Sequence, residues 1–236
     1  MSARPTSNLF LYIGKPVKDE YGRQVGKIAS FAVTPNGRVN GVFLEHGDGE
    51  FQSYPSDQFK MEGEEITLTP SIKIRVKALC DEIPLIWRKD QALNDLVDKK
   101  KIPSEMFTEL HKNFEGALNQ LRTDAQTNLD AIDKQIAKCN SQIRELNSAL
   151  INIEIEREIG RIDDTAYQTA LQMVQDGLKK VNYEKTDLES LRSQLSNLLL
   201  GDSTLPWKEP ETKTASTPAL PEPPVVVHVK SASKTG

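Results

Sequence analysis

The sequence predicts an α+β protein: a small N-terminal antiparallel β-barrel, then a long α-helical coiled-coil hairpin, then a disordered C-terminal tail. Three observations carry this expectation. Residues 8 to 79 are short β-branched and aromatic runs separated by turn glycines. From about Ser104 apolar residues recur at alternating spacings of three and four, the seam of a left-handed coiled coil. From Gly201 the chain is rich in Pro, Ser and Thr, with too little apolar surface to fold alone. The expected boundaries are a flexible N-terminus at 1–7, the barrel at 8–80, a linker with a short helix at 81–103, the hairpin at 104–200 and the tail at 201–236.

Within the barrel, strands are expected at Leu9 to Ile13, Arg23 to Val33, Arg38 to Glu45, Glu50 to Tyr54, Glu64 to Leu68 and Ile72 to Leu79. Pro35-Asn36-Gly37 and His46-Gly47-Asp48-Gly49 mark hairpin turns. Many short strands in about seventy residues suit a sheet that hides its edges by curling. The run Tyr12-Ile13-Gly14-Lys15-Pro16-Val17-Lys18-Asp19-Glu20-Tyr21-Gly22-Arg23-Gln24-Val25-Gly26-Lys27-Ile28 resembles the opening of the PRC-barrel family, and Tyr54-Pro55-Ser56-Asp57-Gln58-Phe59 resembles its later turn. The physical content is turn chemistry: Asp19 to Gly22 makes a tight turn, and Gly14 and Gly26 permit backbone geometry or close packing. The resemblance implies a module and no particular activity.

Between Asp81 and Lys101, Ile83-Pro84-Leu85-Ile86-Trp87 forms an apolar knot expected to dock on the barrel, and Ala92, Leu93, Leu96 and Val97 have short-helix spacing. Pro103, with Ser104 and Glu105, suits a helix start. The first long helix carries the seam Leu129, Ile132, Ile136, Cys139, Ile143, Leu146, Leu150 and Ile153. Upstream, Leu121 to Ala125 to Leu129 takes two steps of four, a phase change that loosens the supercoil. The second helix carries Leu171, Val174, Leu178, Val181, Leu188, Leu191, Leu195 and Leu198, with Lys185 in the row. Gly160 suits a C-cap and Asp163 or Asp164 an N-cap, so the rod folds back on itself.

The two helices, about 104–159 and 164–200, are roughly 84 Å and 55 Å long at 1.5 Å per residue. The first therefore has a proximal stretch without an intrachain partner, yet Phe107, Leu110, Phe114, Leu118 and Leu121 form an apolar stripe there. A second copy is expected to cover it, giving a homo-oligomer or filament.

Nothing in the sequence points to catalysis, a cofactor or a metal. Gly22 to Ile28 has three residues between its glycines where a P-loop needs four, and Ile28 stands where Ser or Thr should hold magnesium. His46, His111 and His228 form no pair or triad, and Asp163-Asp164 and Glu154, Glu156 and Glu158 read as caps and a solvated face. Cys80 and Cys139 lack a CxxC or a metal-spaced His and read as reduced fillers. The formal charge is about +1 over 1–103, about −5 over 104–200 and about zero beyond, so no region is a basic footprint. Lys99-Lys100-Lys101 could touch anionic headgroups but reads first as solvated linker. Leu9 to Ile13 is too short for a signal-peptide core and no run approaches a membrane span, so a cytoplasmic, at most peripheral, protein is expected.

The tail breaks its own pattern at Val225-Val226-Val227-His228-Val229-Lys230. As a strand it presents Val225, Val227 and Val229 on one face, a segment built to add to another protein's sheet edge or to return to this protein's own barrel. With Leu220, Pro223, Pro224 and Val226 it forms the expected partner-binding motif, and Trp207 is a possible helix-end cap or second anchor.

This succession of β-barrel, helical hairpin and Pro-rich tail with a strand motif resembles the archaeal CdvA cell-division family. The resemblance implies a mid-cell scaffold that works with the ESCRT-III homologue CdvB and an AAA ATPase. Its C-terminal peptide docks on a winged-helix domain by strand addition, which places the motif within Ala219 to Lys230. It also implies filaments, peripheral membrane association and a proposed DNA association, the last two with little support from an acidic rod. The alternative is an RNA-associated PRC-barrel adaptor in ribosome maturation, which requires an exposed basic and aromatic surface near Lys15, Arg23 and Lys27.

Overall fold

The computed structural model describes residues 6–201. A mixed six-stranded sheet forms from β1 (Pro16–Asp19), β2 (Gln24–Val33), β3 (Val39–His46), β4 (Phe51–Pro55), β5 (Phe59–Glu62) and β6 (Glu65–Leu68), in the order β4-β3-β2-β1-β6-β5. The α+β class stands, with the sheet preceding the helices; the first five residues of the expected flexible N-terminus at 1–7, and the expected tail from 202 on, lie outside the described residues. The sheet differs from the expected closed antiparallel barrel in being open, with β1 and β6 parallel through Lys18↔Thr67 and Asp19↔Leu68. Val17, Ile28, Phe31, Val42, Leu44, Ile66 and Leu68 form its buried core.

Turn chemistry places these strands. Gly37 (φ 75°) closes the β2–β3 hairpin by donating to the Thr34 carbonyl at 2.8 Å, and Gly22 (φ 79°) donates to Asp19 at 3.1 Å between β1 and β2. Gly26 answers a different need: a Cβ there would sit 2.3 Å from the Glu45 carbonyl oxygen across the β2–β3 ladder. Leu9 to Ile13, expected as a strand, lies in a 3₁₀ helix over Thr6–Tyr12 and the turn that follows it.

The largest departure is α1, one continuous helix over Ser71–Asp98. It replaces both the strand expected at Ile72 to Leu79 and the linker with a short helix expected at 81–103. The reason lies in the spacing of Ile72, Val76, Leu79, Ile83 and Ile86, which steps four, three, four, three and so makes one helical stripe. These residues join the core of the helical region, not that of the sheet. Pro84 is tolerated inside α1, where it removes the N–H that would bond the Cys80 carbonyl. Trp87, expected to pack on the barrel, is a 42% exposed residue of α1 outside the sheet's core.

The two long helices are α2 (Ser104–Glu158) and α3 (Asp164–Leu199), within a residue of their expected ends. Pro103 precedes α2, Gly160 takes φ 70° after it, and the Asp163 carboxylate accepts from the Thr165 and Ala166 amides at 2.9 Å to cap α3.

Candidate functional site

The stripe on α2 serves two partners in succession. Along its proximal half α1 runs antiparallel to it, pinned by His111 to Asp90 at 2.6 Å and by Arg75 to Asp124. Along its distal half α3 returns beside it, pinned by Tyr167 to Glu154 at 2.7 Å and by Arg192 to Asp133 at 2.6 Å. Val76, Leu79 and Ile83 of α1, Leu118, Ala125, Ile132 and Cys139 of α2, and Val181, Leu188 and Leu195 of α3 form one buried cluster. Ala125, fully buried, stands at the phase change noted in the sequence, where α2 passes from one partner to the other.

The structure thus corrects the expectation that residues 104–122 have no intrachain partner: α1 lies on them. Leu118 and Ile132 are buried in the shared cluster, and Leu121, Leu129, Ile136, Ile143 and Leu146 are half-buried against it. Leu150 and Ile153 are half-buried nearer the hairpin turn, Phe107 and Phe114 are half-buried, and Leu110 is exposed. Intrachain packing leaves other apolar side chains bare, among them Ile151, Ile155 and Ile159 at four-residue steps near the hairpin turn, and Met173. The partner-binding residues Leu220, Pro223, Pro224, Val225, Val226, Val227 and Val229, together with Trp207, lie outside the described residues.

A second constellation went unrecognised in the sequence. The turn between β1 and β2 carries Asp19, Glu20, Tyr21 and Arg23 against α3 and the start of α1. Arg23 donates to Asp19 at 2.6 Å and to Glu184 at 2.7 Å. Lys73 bridges Glu20 and Asp187, each at 2.5 Å. The Tyr21 hydroxyl donates to Asp187 at 2.6 Å, and Thr69 donates to Glu20 at 3.1 Å. Glu184 is only 7% exposed and also accepts from Gln135 at 2.9 Å. Such a carboxylate persists in an apolar seam because its charge is paired and its oxygens are hydrogen-bonded.

The electrostatics follow from this enclosure. Burial, the hydrogen bond to Asp187 and the surrounding carboxylates hold the Tyr21 phenol neutral far above its ordinary range. Burial alone would lower Arg23 and Lys73, but the carboxylates bonded to each outweigh it and raise both. Burial, with Glu184 beside it, also pushes the Cys139 thiol up and makes it a poor nucleophile. The sequence did hold a signal for this site: Glu184 sits three after Val181 and four before Leu188, in the seam itself. Lys185, read as the residue in the row, flanks the seam and pairs with Glu189 at 3.8 Å.

The Arg23 contacts bear on the RNA-adaptor alternative. That reading needs Arg23 on an open basic surface, whereas its guanidinium is engaged by Asp19 and Glu184, and Lys15 meets Glu64 at 3.3 Å. Among the described residues no group of His, Cys, Asp and Glu is arranged to hold a metal ion, and no helix is long and apolar enough to cross a membrane.

A small β domain docked on an antiparallel coiled-coil hairpin, with apolar residues still bare near the hairpin turn, defines a helical-hairpin protein of the coiled-coil class. Residues 73–218, from the start of α1 to beyond the hairpin, match the CdvA-like coiled-coil domain, and the chain belongs to that family. It is also similar to Cell division protein A of Sulfolobus acidocaldarius, at 22% identity over 194 residues, covering 82% of this chain and 81% of the relative.

Proposed function

We propose that this protein is a non-enzymatic cell-division scaffold that self-associates through its helices and recruits an ESCRT-III-type partner through its C-terminal segment. The observation that carries this reading is the match to the CdvA-like coiled-coil domain, supported by similarity to a cell division protein over four-fifths of both chains. The helical architecture fits a scaffold, because a long hairpin separates the β domain from whatever its turn end meets.

In this reading self-association uses the parts of the helices that intrachain packing leaves accessible. Leu110, with half-buried Phe107 and Phe114, offers one such face at the α1–α2 elbow, and Ile151 with Ile155 offers another. The buried seam residues hold these faces in place. Recruitment rests on Val225, Val227 and Val229 adding as a strand to a winged-helix domain of the CdvB type, with Leu220, Pro223 and Pro224 leading into it. Action at mid-cell, at the inner membrane face, belongs to the same proposal.

The test is calorimetric titration of a peptide spanning Ser216 to Lys234 into a soluble ESCRT-III-type winged-helix domain, alongside the Val227→Glu peptide. Micromolar binding abolished by the substitution is the expected result. No heat from either peptide removes the recruitment half of the proposal and leaves self-association to stand on sedimentation equilibrium of the full chain.

A further inference from the structure

Among the described residues the β domain and the helices do not share a hydrophobic core. The sheet's buried cluster and the helical cluster have no residue in common, and one covalent crossing, Thr69–Pro70, joins β6 to α1. What holds the β1–β2 turn on the helices is polar: two charge-bridged triplets, Asp19–Arg23–Glu184 and Glu20–Lys73–Asp187, with the Tyr21 hydroxyl also on Asp187. In each triplet one cation neutralises a carboxylate of the turn and a carboxylate of α3.

That arithmetic makes the contact depend on both cations. Four carboxylates face two cations, so removing either cation leaves two carboxylates, one on each body, facing one another without a counter-charge. Glu184 sharpens the effect because it is buried and cannot be rescued by bulk water in place. Among the described residues no buried apolar cluster spans the two bodies, so each keeps its own core when they separate. Hinged motion about an extended connection is the expected response when an interface is held by charge and not by burial.

We propose that the Asp19–Arg23 turn is an ionic latch that fixes the β domain on α3, and that loss of either bridging cation frees the β domain to swing about Thr69–Pro70 with both cores intact. A latch of this kind lets whatever engages the turn, or competes for Glu184 and Asp187 with cationic groups, change the position of the β domain relative to the hairpin.

The test reads intrachain distance by double electron–electron resonance on the full chain. Spin labels are placed at Ser30→Cys and Gln175→Cys, both exposed positions, in a Cys80→Ala, Cys139→Ala background diluted with unlabelled protein. The parent is expected to give one narrow distance. Arg23→Gln and Lys73→Gln are each expected to shift the distribution to longer values and abolish the single narrow peak. The charge exchange Arg23→Glu with Glu184→Arg is expected to restore it. Lys73→Gln leaves the Arg23–Glu184 pair intact, so it decides the matter if circular dichroism shows Arg23→Gln to have lost its helix. A narrow, unshifted distance in folded Lys73→Gln overturns the latch, and so does broadening that persists undiminished in the charge-exchanged pair.

Discussion

Truncation of Leu79 asks directly which body the first helix belongs to. Leu79 is fully buried and shares the helical cluster with Leu118. Leu79→Ala deletes three carbons, about 0.8 kcal/mol each in lost burial, or roughly 2.4 kcal/mol. An unfilled cavity on the order of 60 Å³ adds about 1.5 kcal/mol at ~24 cal/mol per Å³, giving ~4 kcal/mol, inside the usual range for Leu→Ala. Leu118→Ala opens the same region, so the double variant is expected to fall short of the sum by about 1 kcal/mol. Leu44→Ala, in the sheet's core, is expected to add to Leu79→Ala within about 0.5 kcal/mol. The assay is urea unfolding followed by circular dichroism at 222 nm for the single and double variants. Coupling of Leu79 to Leu44, with strict additivity to Leu118, would mean that residues 72–79 pack on the sheet and would refute the assignment of α1.

Three further predictions test close packing and the latch. Gly26→Ala is expected to destabilise the β domain by at least ~2 kcal/mol, because its Cβ meets a backbone carbonyl that cannot move aside. Gly177→Ala meets only the flexible ends of Leu146 at 3.3 Å and removes a helix-interior glycine, so its melting temperature should match or exceed that of the parent. Raised values for Tyr21 and Lys73 give an alkaline signature: both favour the protonated form in the fold, so their stabilisation is full below the ordinary values of 10.0 and 10.5 and is lost as pH rises beyond them. Tyr21→Phe should therefore be less stable to urea than the parent at pH 8, by about 1 kcal/mol for the lost hydrogen bond, and the two should converge as pH is raised past 10. A constant gap across that range would show that Tyr21 ionises as readily in the fold as in the unfolded chain, and so is not held neutral by the contact described.

What could be read in the sequence was set by short-range chemistry. The ends of α2 and α3 came out within a residue because Pro103, Gly160 and Asp163 act on their immediate neighbours, through a fixed φ, a positive φ and a side-chain acceptor. The β2–β3 hairpin was marked by Gly37 for the same reason. Residues 72–79 mislead because Ile72, Ile74 and Val76 alternate as a β-branched strand does, while Ile72, Val76 and Leu79 open the helical stripe that only its continuation to Ile86 reveals. The parallel pairing of β1 with β6 had no local signal at all.

The two-helix hairpin and the ends of its helices were thus determined by residues a few positions apart, where periodicity and capping act. Which surface covers Phe114 to Leu121, why the phase changes at Ala125, and what Glu184 does in an apolar seam were decided only by the tertiary structure. The stripe on α2 states that a partner is required and cannot state whether it is α1 or another copy, because an apolar face is non-directional. The pairing of Arg23 with Glu184 brings together residues more than 150 positions apart, and no spacing rule along a chain reaches that far.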